Sequence, residues 1–196
     1  MTGMSNRLHS LKPTSRRPLH GLMVLLVEDS LTAGEAVRLM CITSGARLRR
    51  ADCMTSARRH LRIYRPDVAI VDMGLPDGDG ADSFIEKPLN SVAGFQSAIL
   101  MNLPHHRRPV DIRLLPDLAF EADQRALQED LIHALELLNN TKDGANSGYL
   151  AAFVTGVART ASDPTLEQAA EQYSTTQNPS DLRAALTDFL ADKIAV

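Results

Sequence analysis

Three acidic residues stand directly after two apolar segments of this chain of 196 residues. Glu28 and Asp29 follow the apolar run Leu22–Val27, and Asp72 follows the apolar residues 68–71. Carboxylates held close together repel one another, so they stay ionised where a cation neutralises them. An all-oxygen ligand set favours a hard ion that keeps its waters, and the sequence therefore predicts a Mg²⁺ pocket rather than a Zn²⁺ site.

The same residues could handle a phosphoryl group. The Asp72 carboxylate can attack phosphorus as a nucleophile, since a carboxylate is able to form a covalent acyl phosphate. Lys87 follows a further predicted strand, Ser83–Ile85, and its ammonium is a compact charge suited to hold a phosphoryl oxygen.

The elements expected to position these residues alternate between strands and helices. The run Leu22–Val27 is apolar throughout, as in a strand that is buried on both faces of a parallel sheet. Helices are predicted over Leu31–Ser44 (ended by Gly45), Thr55–Tyr64 (capped by Thr55) and Leu89–Leu103, and further strands around Leu48 and over Asp67–Val71. On the second helix, Ala57, Leu61 and Tyr64 are expected to face the core. This order predicts an α/β fold with a doubly wound parallel sheet, in which ligands bind at the carboxyl ends of the strands.

Three motifs in this part of the chain resemble the receiver domain of two-component response regulators. They are Val27–Ser30, Val71–Gly80 and Phe84–Pro88, and the resemblance covers about residues 22–103. It implies a flavodoxin-like receiver fold in which Asp72 is the phospho-accepting aspartate. By the same resemblance, Glu28 and Asp29 would be the acidic pair that holds Mg²⁺, and the backbone carbonyl of Gly74 would be a further ligand. Lys87 would be the phosphate-sensing lysine, and Phe84 would be the switch aromatic.

The spacing of the motifs departs from that family. Only 15 residues separate Asp72 from Lys87, which leaves no room for the third helix, fourth strand and fourth helix of a receiver. A parallel crossover needs a dozen or more residues, and residues 77–82 supply six. We therefore expect either that the residues between Gly80 and Asp82 are not truly contiguous or that a deletion has left a degenerate receiver.

The segments outside the predicted receiver domain, residues 21–103, differ from it in composition. Residues 1–20 are basic and contain no acid, which predicts a disordered tail. Residues 104–116 are predicted to be a polar linker. Residues 117–196 are predicted to form an all-α helical bundle domain. Its helices are expected over Pro116–Asn140 and Ser147–Thr160, and after the capping pairs Asp163-Pro164 and Asn178-Pro179.

The charge is divided unevenly along the chain. Residues 1–103 carry 13 Lys and Arg against 10 Asp and Glu, whereas residues 104–196 carry 8 against 14. DNA affinity depends on Lys and Arg neutralising phosphates, so the acidic half is not expected to bind nucleic acid. No apolar run approaches the roughly 18 residues that span a membrane. Two cysteines make no disulfide framework. The sequence thus predicts a soluble, cytoplasmic protein.

Two classes of function follow from the sequence. In the first, a response regulator of a phosphorelay accepts a phosphoryl group on Asp72 from a sensor histidine kinase or a histidine phosphotransfer protein. It then signals through the helical domain to a protein partner or a second copy, and it is no enzyme beyond its own phosphorylation and dephosphorylation. In the second, a degenerate receiver acts as a phosphorylation-independent interaction scaffold. A hydrolase with an aspartyl nucleophile is a weaker third alternative, because it needs an acid where Gly74 stands.

Overall fold

The computed structural model describes residues 17–75, 91–108, 115, 122–140 and 147–194. The described residues form an α/β unit with a three-stranded parallel sheet, followed by a helical region. The predictions for residues 1–16, for the strand Ser83–Ile85 and for the contiguity of residues 80–82 lie outside this part of the chain. No helix among the described residues is both long enough and apolar enough to cross a membrane.

The sheet is built around its first strand. β1 (Met23–Val27) lies between β2 (Arg47–Ala51) and β3 (Val68–Val71), and both neighbours run parallel to it. The connecting helices are α1 (Leu31–Ser44) and α2 (Met54–Ile63), and α3 (Val92–Asn102) follows later in the chain.

The side chains of β1 pack on both faces of the sheet. Val24 and Leu26 belong to an apolar cluster with residues of α1 and α3, whereas Leu25 and Val27 cluster with Ala57 of α2. Successive side chains of a strand point to opposite faces, so the alternation places helices on both sides. The predicted burial of this apolar run on both faces is confirmed.

The first helix begins and ends where the sequence predicts. The Ser30 hydroxyl accepts a hydrogen bond from the Ala33 N–H at 3.1 Å and caps the N-terminus. Gly45 ends the helix with a φ of 86°, a left-handed conformation that glycine adopts without a Cβ penalty. Cys41 of this helix is fully buried.

The second helix differs from its prediction. Its N-cap is Cys53, which accepts no side-chain hydrogen bond from the helix, so the predicted cap at Thr55 is wrong. Leu61 is 48% exposed rather than core-facing, although Ala57 is buried as expected. Just beyond the end of the helix, the Arg49 guanidinium of β2 lies 4.8 Å from the centroid of the Tyr64 ring.

The residues that flank the third helix are ordered by side-chain hydrogen bonds. The Ser91 hydroxyl accepts from the Gly94 N–H at 2.9 Å and caps the helix, which begins at Val92. The predicted start at Leu89 lies outside the described residues. At the other end, Arg108 donates to the carbonyls of Leu103 and Met101 at 2.9 and 2.8 Å. The described part of the predicted linker thus includes a short 3-10 helix, His105–Arg107, held against α3.

The chain between residues 17 and 22 also belongs to the packed unit. Leu19 is completely buried in the cluster between α1 and α3, and its N–H donates to the Ser44 carbonyl at 2.9 Å. The predicted disordered tail therefore does not extend through residues 17–20.

The helical region contains four helices in the described residues, as predicted. They are α4 (Gln124–Asn140), α5 (Ser147–Ala161), α6 (Pro164–Thr176) and α7 (Pro179–Ile194). The Asp123 carboxylate accepts from the Ala126 N–H at 2.8 Å, and α4 begins at Gln124. The predicted start at Pro116 lies outside the described residues. The predicted caps Asp163 and Asn178 accept from Leu166 and Ser180 at 2.8 and 3.1 Å. The helices share one apolar core, and α4 and α5 also contact α1.

Candidate functional site

The three acidic residues singled out from the sequence meet at the carboxyl edge of the sheet. Val27 of β1 is paired with Val71 of β3, and the Asp72 N–H continues the ladder by donating to the Val27 carbonyl at 2.8 Å. The two strands therefore end level. One carboxylate oxygen each from Glu28, Asp29 and Asp72 lies within 4.8 Å of the other two.

These three carboxylates differ in their exposure. Glu28 is 2% exposed, and one of its carboxylate oxygens accepts from the Ser30 N–H at 3.2 Å. Asp29 and Asp72 are partly exposed. The cluster is therefore closed on its Glu28 side and open to a ligand beside Asp29 and Asp72.

Gly74 leaves space beside the Asp72 carboxylate. A Cβ at this position would lie 3.1 Å from Oδ2 of Asp72, closer than side-chain carbons ordinarily approach. The absence of that carbon leaves the space beside this carboxylate oxygen unfilled. The role of the Gly74 backbone carbonyl as a Mg²⁺ ligand stays a prediction.

The donor set suits a hard divalent cation. Carboxylate oxygens are the ligands that Mg²⁺ prefers, and Mg²⁺ is commonly held by few protein carboxylates while it keeps several waters. The acidic cluster is therefore compatible with Mg²⁺ held by Glu28, Asp29 and Asp72. Lys87 and Phe84, the predicted phosphate-sensing lysine and switch aromatic, lie outside the described residues.

Arg50 of β2 fixes the backbone that carries the acidic pair. Its guanidinium donates to the Ser30 carbonyl at 2.9 Å and to the Glu28 carbonyl at 3.3 Å. The helix α1 approaches this guanidinium closely, and a Cβ on Gly34 would lie 2.6 Å from the Arg50 Cζ. The arginine thus connects the loop between β1 and α1 to β2 through hydrogen bonds to main-chain carbonyls.

Asp130 of α4 lies at the N-terminus of α1. It is 3% exposed, and its carboxylate accepts from the Leu31 N–H at 2.8 Å, the Thr32 N–H at 2.9 Å and the Ser30 hydroxyl at 2.8 Å. The first N–H groups of a helix lack intrahelical partners and carry positive partial charge, so a buried carboxylate is stabilised there. The helical region is thereby bonded to the segment directly after Asp29.

Tyr149 of α5 reaches the acidic cluster itself. Its hydroxyl donates to Oδ2 of Asp29 at 2.6 Å. Burial first, and then the hydrogen bond and the negative charges of Asp29, Asp72 and Glu28, raise the pKa of Tyr149 above its ordinary value, so the phenol stays protonated. The helical region therefore contributes a neutral hydrogen-bond donor to Asp29 of the cluster.

The sequence analysis did not identify Arg50, Asp130 or Tyr149 as site residues. Asp130 could have been identified from the sequence, because it lies on the buried face of α4 together with Ala126, Leu127 and Ala134. A charged residue on an apolar stripe requires a partner, which marks the position as unusual. Tyr149 and Arg50 carry no comparable signal, since their roles depend on which elements pack together.

Comparison with known proteins gives a partial match. Over 59 residues the chain is 37% identical to the virulence transcriptional regulatory protein PhoP of Salmonella typhimurium and to the protein of the same name from Salmonella typhi. The match covers 30% of this chain and 26% of each relative, so the chain spans about a quarter of the length of these proteins. No family model and no solved structure matches the chain. The similarity and the parallel three-stranded sheet together fit a receiver-like N-terminal unit.

Proposed function

We propose that this chain is a response regulator of a phosphorelay, in which residues 21–103 form a doubly wound receiver domain that accepts a phosphoryl group on Asp72. The observation that carries the proposal is the convergence of Glu28, Asp29 and Asp72 at the carboxyl edge of the sheet. Parallel α/β sheets bind their ligands at that edge. The similarity to PhoP over 59 residues supports the same class.

In the proposed reaction, an Asp72 carboxylate oxygen attacks the phosphorus of the donor. The bond between phosphorus and the donor's leaving atom breaks, that atom keeps the electron pair, and an acyl phosphate forms on Asp72. Mg²⁺ held by the cluster would supply positive charge that offsets the repulsion between the carboxylates and the phosphoryl oxygens. Glu28 and Asp29 hold the cation site, and Arg50 keeps their backbone in place.

Several partner and activity assignments belong to this proposal. The phosphoryl donor would be a sensor histidine kinase or a histidine phosphotransfer protein in the cytoplasm. The chain would catalyse only its own phosphorylation and dephosphorylation. The helical region would carry the signal to a protein partner or to a second copy, and Ile132 on α4 is half exposed there. The excess of Asp and Glu in residues 104–196 argues against DNA as the partner of this region.

The decisive experiment is phosphorylation of the intact protein with acetyl phosphate and Mg²⁺, read by intact mass. We expect one phosphoryl group on the unaltered chain and none on Asp72→Asn. Asp52→Asn is the matched control, because Asp52 also follows a strand, β2, but lies exposed and outside the cluster. Equal labelling of Asp72→Asn would exclude Asp72 as the acceptor. If the unaltered chain is neither labelled nor able to bind Mg²⁺, the degenerate-receiver scaffold is the better description.

A further inference from the structure

The helical region contacts the acidic cluster through one hydroxyl group. Tyr149 donates to Oδ2 of Asp29 at 2.6 Å. Its ring is packed on α5, with its centroid 6.1 Å from that of Phe153, one helical turn further along. The hydroxyl is therefore held in place by the helical core rather than by the sheet.

A second contact ties the same helices to the same loop. Asp130 of α4 accepts three hydrogen bonds from Ser30, Leu31 and Thr32, which follow Asp29 directly in the chain. The helices α4 and α5 thus both form hydrogen bonds to the segment 29–32. Hydrogen bonds therefore connect Asp29 and the residues after it to the helical region.

The hydroxyl and a cation would compete for the same carboxylate. The hydrogen of Tyr149 carries partial positive charge and points at an oxygen of Asp29. A divalent cation held by the cluster requires the electron density of that carboxylate and repels the hydrogen. In the absence of a cation, the donated hydrogen offsets part of the repulsion among the three acids.

We propose that Tyr149 borders the cation site and competes with a divalent cation for Asp29. Cation binding and the docking of α4 and α5 therefore disfavour each other. The inference rests on the proposed function, because it uses the same cluster. Coupling between two sites is reciprocal, so a cation at the cluster loosens the contact of α5 by as much as that contact weakens cation binding. The helical region would then sense the occupancy of the site through a single hydrogen bond.

The test measures Mg²⁺ binding by isothermal titration calorimetry on the full chain. Tyr149→Phe removes only the hydroxyl, and we expect it to bind Mg²⁺ about fivefold more tightly or better, within the usual range of coupling between sites. Tyr173→Phe is the matched control, since it removes the same atom from a buried tyrosine in the helical core. A merely structural role would not tighten binding. Asp29→Asn should abolish the difference between the chains with and without the Tyr149 hydroxyl.

A second measurement follows the helices rather than the cation. In the unaltered chain, Mg²⁺ should increase amide hydrogen exchange in the first turns of α5, and in Tyr149→Phe this increase should be absent.

Unchanged or weaker Mg²⁺ binding by Tyr149→Phe would overturn the inference. If the unaltered chain binds Mg²⁺ and is phosphorylated on Asp72 all the same, the proposed function stands and only the inference fails. If neither chain binds Mg²⁺ and none is labelled, both fail.

Discussion

The carboxylate of Asp130 accepts a hydrogen bond from the Ser30 hydroxyl at 2.8 Å, across 100 positions of the chain. The same hydroxyl accepts from the Ala33 N–H at 3.1 Å, so Ser30 caps α1 locally and also bonds α1 to α4. One small side chain therefore belongs at once to the start of a helix and to the contact between the sheet unit and the helical region.

Replacement of Asp130 should be the most destabilising change at this contact. Asp130→Ala leaves two backbone N–H groups and one hydroxyl without their charged acceptor, and we expect a loss of about 3 kcal/mol in the free energy of unfolding. Chemical denaturation measures the loss. Glu129→Ala is the control, because this neighbour on α4 is exposed and forms an ion pair with Arg125 one turn away. A loss at Asp130 no larger than at Glu129 would contradict the capping role.

Thr32 offers a stabilising substitution. Its side chain is 1% exposed, and Oγ1 is the one buried side-chain oxygen or nitrogen in the described part of the chain that has no hydrogen-bond partner. A buried polar group without a partner costs about 1–3 kcal/mol, and valine has nearly the same shape. Thr32→Val should therefore raise the midpoint of thermal unfolding. A lower midpoint would show that the hydroxyl is satisfied in solution.

The contact between Gly34 and Arg50 should appear as a coupling between two substitutions. Alanine favours helix over glycine by about 1 kcal/mol, but a Cβ at Gly34 would lie 2.6 Å from the Arg50 Cζ. We expect Gly34→Ala to destabilise the unaltered chain and to stabilise Arg50→Ala. A double-mutant cycle of unfolding free energies measures the coupling, and strictly additive effects would refute it.

The two cysteines should differ in their reactivity. Burial raises the pKa of the Cys41 thiol to about 12, and the side chain is inaccessible. Since the thiolate is the reacting species, iodoacetamide at pH 8 should modify Cys53 and spare Cys41 in the native protein. Peptide mass mapping distinguishes the two sites, and both should react after denaturation. Equal native labelling would contradict the packing of α1.

The sequence was sufficient for the elements whose signals are local. The apolar run of β1, the glycine at position 45 and the cap at Asp163 each act within a few residues. The convergence of Glu28, Asp29 and Asp72 was also predictable, because parallel strands end at the same edge of the sheet.

What could not be predicted depends on contacts between distant segments. The packing of the Arg49 guanidinium over the Tyr64 ring joins a strand to the segment after α2, and the start of α4 at Gln124 coincides with a cap at Asp123. The contact of Tyr149 with Asp29 joins residues 120 positions apart. The apolar periodicity of α5 does not indicate which residue Tyr149 contacts.

The double role of Ser30 has a consequence for the order of folding during synthesis. Chains emerge from the ribosome N-terminal end first, so β1 and α1 are complete long before α4 exists. Until then, the bond from the Ala33 N–H to the Ser30 hydroxyl is the local cap of the helix. The Asp130 carboxylate, which accepts from Ser30, Leu31 and Thr32 in the folded chain, is synthesised about a hundred residues later. The final stability of α1 is therefore set late, when α4 docks.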